Sequence, residues 1–253
     1  MLDFYDKTAV VTGAAGNIGQ AVAQLLASRG ANVLAVDIDD NALVDTLNLL
    51  KEVNPAGTHA VCQADVTHPP SVKAYALQAA SLVSEGIDVF FNNAGVEGVA
   101  APITAYPEDD FDKVMNVNVK GVFLGLKYVL YEMNSGGAVV NTASVAGLGG
   151  SPNMIAYTAS KHAVVGMTKT AALEMSDENI RVNAICPAPI QGRMMKNIEQ
   201  ELNLSEDKMA RAIPLRRYGT PEEVANFVVM LLSDEAKYLT GGIYTVDGGL
   251  RAR

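Results

Sequence analysis

Cationic excess is the first thing this sequence lacks. It sets 19 lysines and arginines against 28 acidic residues, for a formal net charge of −9. Nucleic acid and anionic membrane surfaces both require a cationic face, so neither is an expected partner. Histidine is scarce: His59, His68 and His162 are too scattered for zinc ligation or a Ser-His-Asp system, so surface roles are expected and no metal site. Cys62 and Cys186 are the only cysteines. They lack metal-ligand spacing and read as free thiols of a reducing, cytoplasmic compartment. No apolar run approaches a membrane span, and Met1–Lys7 lacks the basic-then-apolar layout of a signal peptide. Repeats, low-complexity tracts and linkers are also missing, which leaves a single domain over 1–253.

What is present is a large apolar share, 49% of 253 residues, enough for a sizeable core. Short β-branched runs alternate with longer helical patterns, the signature of an α/β fold with a parallel sheet. Strands are expected at Lys7–Thr12, Asn32–Asp37, Thr58–Ala64, Ile87–Asn92 (buried on both faces), Ala138–Thr142, Ile180–Ile185 and Gly242–Val246. Helices are expected from the glycine turn to about Arg29, as one long element over Pro107–Met133, over Ala156–Met175, and from Thr220-Pro221-Glu222-Glu223, where Thr caps and Pro opens the first turn.

Between the first strand and helix lies Thr12-Gly13-Ala14-Ala15-Gly16-Asn17-Ile18-Gly19. Such a turn aims helix N–H groups at a pyrophosphate, its small residues admit the phosphates, and Gly19 lets helix and sheet pack closely. Asp37 ends the second strand, where an acid bonds the adenosine ribose hydroxyls and repels a 2′-phosphate. No arginine follows it, so NAD is favoured over NADP. Tyr157 and Lys161 stand four residues apart on one expected helical face. A neighbouring cation favours the phenolate, so the pair is expected to bring the phenol toward neutral pH, as a general acid/base for an alcohol oxygen.

With these residues, Asp65-Val66, Asn92-Asn93-Ala94-Gly95, Asn118-Val119-Lys120-Gly121, Ser144, Arg181-Val182-Asn183 leading to Pro187, and Val246-Asp247-Gly248-Gly249, the chain resembles the short-chain dehydrogenase/reductase family end to end. The resemblance implies a single-domain, Rossmann-type doubly wound parallel sheet flanked by helices on both faces. It implies a catalytic group of Asn118, Ser144, Tyr157 and Lys161. In it Tyr157 moves the proton, Ser144 orients the substrate oxygen, Lys161 lowers the tyrosine pKa and binds the nicotinamide ribose, and Asn118 kinks its helix and holds a water. Asn118 is chosen over Asn116 because Gly121-Val122-Phe123 fixes the register. Implied NAD contacts are Gly13, Asn17, Ile18, Gly19, Asp37, Asp65, Val66, Asn92, Ala94, Gly95, Tyr157, Lys161, Pro187 and Ile190, with Asn92 ranked below Asp37 because the family also uses it to brace the sheet. A homotetramer, a dimer of dimers, is the assembly the resemblance implies.

The chain departs from the family pattern twice. Asn17 replaces the middle glycine of the turn, which asparagine's tolerance of left-handed geometry is expected to preserve. After the sixth strand, Ala188 stands for a glycine and Gly192 for a cofactor-touching threonine, a loss of about 1 kcal/mol for one hydrogen bond. Substrate selection is expected in the stretch from Gln191 to about Ile213, where Met194, Met195 and Met209 suit a hydrophobic or cyclic alcohol or ketone. Glu97 is expected to meet a second polar group of the substrate. The leading reading is an NAD-dependent secondary alcohol dehydrogenase or ketone reductase. Its rivals are a 3-oxoacyl carrier-protein reductase and a non-catalytic nucleotide sensor.

Overall fold

Runs of small and β-branched residues become the strands of one sheet in the computed structural model, which describes residues 4–83 and 86–252. Residues 1–3 of the N-terminal stretch read above fall outside that range. The strands are β1 (Thr8–Thr12), β2 (Asn32–Asp37), β3 (Ala60–Gln63), β4 (Ile87–Asn92), β5 (Met133–Thr142), β6 (Arg181–Pro187) and β7 (Ile243–Val246). They pair in parallel in the order β3-β2-β1-β4-β5-β6-β7. The helices are α1 (Asn17–Ser28), α2 (Asp40–Val53), α3 (Pro69–Ala80), α4 (Glu108–Met115), α5 (Val122–Val129), α6 (Ile155–Glu174), α7 (Arg193–Leu202), α8 (Glu206–Ala210) and α9 (Pro221–Leu232).

Successive strand residues point to opposite faces, so adjacent apolar residues serve two cores. Val11, Phe91 and Val140 pack with Leu26 of α1, Leu50 of α2 and Val228 of α9. Their neighbours Val10, Phe90 and Val139 pack with Tyr75 of α3, Val122 of α5 and Val164 of α6. The sheet is thus doubly wound, with helices on both faces, as the resemblance implies. β4 carries one acid, Asp88, whose carboxylate accepts from Thr8 N at 2.8 Å and Lys7 Nζ at 3.0 Å. Arg181, 8% exposed, donates to the Leu231, Leu232 and Ser233 carbonyls that end α9. Asn183 holds Leu239 O and Gly242 N and so pins the entry to β7.

Several expectations need correction. The long element over 107–133 is not one α-helix: α4 and α5 are joined by a π-helical turn at Asn116–Gly121, and β5 begins already at Met133. α2 and α3 fill stretches to which the sequence pattern above assigns no element; Asp39 caps α2 by accepting from Ala42 N, and prolines open α3. His59 is half-buried rather than a surface residue. Its Nδ1 accepts from Val33 N at 3.3 Å while Nε2 faces Asn54 O at 3.1 Å, and burial lowers its pKa. The left-handed residue of the glycine turn is Gly13 (φ 66°), whereas Asn17 is the first right-handed residue of α1.

Candidate active site

Strand order reverses between β1 and β4, and in such sheets the cleft opens at the C-terminal ends of the strands there. A chain of polar side chains crosses this edge. Asn93 accepts from Thr142 Oγ1 at 3.0 Å through Oδ1 and donates to Thr12 O at 3.1 Å through Nδ2; its amide donates to Thr12 Oγ1 at 2.9 Å. Thr142 O in turn accepts from Lys161 Nζ at 2.8 Å. The glycine turn after β1 is thereby tied to Lys161 through Thr12, Asn93 and Thr142. The motif readings above assign roles to the neighbours of Asn93 and miss this residue. The signal available was an asparagine directly after a buried strand with no side-chain role assigned.

Around the turn, Asp37 Oδ2 accepts from Ala15 N at 3.0 Å and Oδ1 from Ile38 N and Asp39 N at 2.8 and 3.1 Å. Because Asp39 caps the following helix, Asp37 is left as a fixed acceptor beside the turn. Gly13 has no room for a side chain: a Cβ would stand 3.0 Å from Ala94 Cα. At Gly19 it would stand 2.1 Å from Gly13 O, the close helix–sheet approach expected of that position. Ile18 is half-buried in the first turn of α1. Asp65 is exposed and its carboxylate accepts from Thr67 N at 2.8 Å, while Val66 packs on Gly121 of the π-turn. Asn92 is turned away from the cleft: at 3% exposure it donates to Val122 O and Asn141 Oδ1, so the side chain braces the core. Pro187 ends β6 opposite Val246, and Ile190 bridges to Gly219.

Tyr157 and Lys161 share one face of α6, with Nζ 5.5 Å from the phenol ring centroid. Ser144 follows β5 and accepts from Ala146 N at 3.2 Å; its hydroxyl lies near enough to the Tyr157 phenol to pull the phenol pKa down. The half-buried phenol is nevertheless pushed up to about 12, chiefly by desolvation, with the Glu97 and Cys186 charges adding to the rise and the nearby Ser144 hydroxyl opposing it. Lys161 is 3% exposed, and burial brings it down to about 8. The phenol is therefore raised where a lowering by its neighbour was expected: desolvation sets the direction, and the Lys161 ammonium gives its bond to the Thr142 carbonyl. Cys186 lies close enough to feel Lys161, and burial raises its thiol to about 11.

Asn118, fully buried in the π-turn, accepts from Val96 N and donates to Val96 O, both at 2.8 Å, and donates to Ser160 Oγ at 3.0 Å. Ser160 bonds Tyr157 O at 2.7 Å. Asn118 thus joins the Val96 loop to the tyrosine's helix, while Asn116 is exposed. Gly95 keeps a cradle open: a Cβ there would lie 3.2 Å from Asn118 Oδ1 and 3.5 Å from Lys161 Nζ. That space, the Gly13 turn and the fixed Asp37 carboxylate are donors, acceptors and room of the kind a dinucleotide needs.

On the substrate side, Glu97 Oε1 accepts from Asn197 Nδ2 of α7 at 2.7 Å. Met195 and Met209 pack with Ala210, Ile213 and Tyr218 in a small separate core beneath that segment.

A family model described as enoyl-(acyl carrier protein) reductase matches residues 13–251. Levodione reductase of Leifsonia aquatica is 38% identical over 256 residues, covering 98% of this chain and 96% of that protein. Cyclohexanol dehydrogenase of Acinetobacter sp. (strain SE19) is 36% identical, covering 99% and 97%. A 3-oxoacyl-(acyl-carrier-protein) reductase of Thermotoga maritima is 38% identical, covering 96% and 97%. Among solved structures, levodione reductase superposes with a TM-score of 0.94 at 37% identity, covering 98% of this chain and 99% of that one. NAD+-bound xylitol dehydrogenase does so with 0.91 at 36%, covering 97% and 99%. The chain belongs to the short-chain dehydrogenase/reductase family, oxidoreductases that act on CH–OH groups with a nicotinamide dinucleotide.

Proposed function

We propose that this protein interconverts a hydrophobic or cyclic secondary alcohol and the corresponding ketone, with NAD preferred over NADP. The observation that carries the reading is the meeting of Ser144, Tyr157 and Lys161 beside the glycine turn, linked to it by the Thr12–Asn93–Thr142 bonds. Hydride exchange with the substrate carbon is the chemistry the bound dinucleotide supplies. Tyr157 Oη gives its proton to the carbonyl oxygen, or takes one from the alcohol. Ser144 Oγ bonds the same oxygen and stabilises charge as it develops. A phenol held near 12 stays protonated until reduction calls for the proton, and Lys161 supplies positive charge once the phenolate forms. Asn118 positions the Val96 loop and the helix bearing Tyr157. Asp37 accepts from the ribose hydroxyls and disfavours a 2′-phosphate. Gly13, Ile18, Gly19, Asp65, Val66, Ala94, Gly95, Pro187 and Ile190 line the dinucleotide path, with Asn92 bracing the sheet behind it. The chain works as one domain in a cytoplasmic homotetramer.

Support for a cyclic substrate comes from relatives named for cyclohexanol and levodione. A second reading, reduction of carrier-linked 3-oxoacyl groups, is favoured by the Thermotoga relative. NADH oxidation and NAD reduction across cyclic and aromatic ketones and alcohols test the proposal. Turnover confined to carrier-linked substrates with NADPH would select the second reading. Tyr157→Phe should lower kcat by about 10²–10⁴-fold, the usual share of acid–base catalysis, with NADH affinity kept.

A further inference from the structure

The two departures from the family pattern meet in the fold. Gly192 is the N-cap residue of α7 and has φ 153° and ψ −177°, a conformation that glycine takes up readily and other residues do not. Lacking a side chain, it cannot cap the helix whose first amides are unpaired. Asn17, 176 positions before Arg193, does so in its place: Oδ1 accepts from Arg193 N at 3.1 Å. The reverse dependence is equally sharp. A Cβ on Gly192 would stand 2.4 Å from Asn17 Oδ1 and 2.8 Å from its Cγ. A threonine at 192 and an asparagine at 17 cannot share this geometry, so each replacement accommodates the other.

Asn17 belongs to the glycine turn, and α7 opens the segment read as substrate-selecting. The second turn of α7 is fastened separately, through Asn197 to Glu97. We propose that Asn17 is a positioning residue that latches α7 to the pyrophosphate turn, with Gly192 as its obligatory partner, so that one side chain couples seating of the dinucleotide to closure over the substrate. An amide has two ends. With Oδ1 on α7, Nδ2 is the end it can offer an anion in the turn. The coupling rests on the functional reading above; the Asn17–Gly192 latch itself does not.

Limited trypsin digestion reads the latch directly, because Arg193 and Lys196 are exposed cleavage sites on α7. Asn17→Gly should speed cleavage there by about fivefold, the population change that loss of one hydrogen bond produces. It should also raise the ketone KM more than it lowers kcat. Gly192→Ala should speed cleavage in the native background, through backbone strain as well as the contact with Asn17; on top of Asn17→Gly only the strain remains, so the double variant should fall short of the product of the two single effects. Native cleavage rates in Asn17→Gly, or multiplying effects in the double variant, would overturn the latch. An unchanged KM with a released α7 would overturn the coupling. Should glycine fray α1, Asn17→Ala removes the same acceptor. A protein inactive on every ketone still gives the digestion result, so failure of the functional reading stays distinguishable.

Discussion

Replacing Asn118 with alanine tests whether this residue acts by bracing. Its amide is spent on Val96 N, Val96 O and Ser160 Oγ. Three bonds at about 1 kcal/mol net each come to about 3 kcal/mol, which at about 2–4 °C per kcal/mol for a chain of this size lowers Tm by about 6–12 °C. Ser160→Ala removes one of the three together with the bond from Ser160 to Tyr157 O, and should cost about two-thirds as much. Loss of the clamp also frees the loop that carries Gly95 and Glu97, and a misplacement on the ångström scale can cost about 10²-fold in kcat/KM. Scanning calorimetry and steady-state kinetics on the same preparations give both quantities. An Asn118→Ala protein that melts within about 2 °C of the native one yet loses activity would refute the reasoning, because the loss would then arise in the chemistry itself.

The pH dependence follows from the direction of the two shifts. Oxidation hands a proton to Tyr157, so its rate should climb with pH and level off no lower than about pH 8, where Lys161 loses its proton. Reduction takes that proton, which a phenol near 12 still carries, so its rate should stay flat to about pH 8 and fall above it only because Lys161 loses the charge that stabilises the phenolate. A plateau for oxidation near pH 6 would mean that the phenol is lowered after all. Glu97→Gln removes a charge that raises the phenol, so the rise of the oxidation rate with pH should move to lower pH. The same variant should change preference across a hydroxy-ketone panel; an unaltered ranking would remove Glu97 from substrate recognition. Asp37→Ser with Ile38→Arg should shift the NADPH/NADH ratio of kcat/KM by about 10²-fold toward NADPH, since a repelling acid gives way to a bidentate phosphate ligand. An unmoved ratio would place cofactor selection elsewhere.

The sheet and the Tyr157/Lys161 pair were legible in the sequence because period-2 strands and i,i+4 faces are local patterns. Asp37 was legible for the same reason: it ends a strand that announces itself. The π-turn at Asn116–Gly121 was legible only as the kink that the resemblance puts at Asn118: no proline marks it, and the bonds that hold Asn118 go to Val96, in another segment. Nor could spacing foretell the direction of the Tyr157 shift. That depends on how much water the fold removes and on the charge of Glu97, which arrives from another element. The contact between Asn17 and Gly192 joins ends of the chain that no pattern connects. Each departure is visible alone in the sequence, but their mutual fit exists only in the folded chain.

A π-turn holds one more residue than the α-helical turn it replaces. Removing any one residue from 116–121 would let α4 run straight into α5 as a regular helix, with better backbone bonding. Because the surplus residue is what the turn absorbs, Val122, Leu126 and Val129 would keep their buried face against α3 and the sheet. What would be lost is the placement of the Asn118 amide between Val96 and Ser160. A one-residue deletion there should therefore spare the packing of the helix that follows, whereas the same deletion within α5 would turn that face by about 100°.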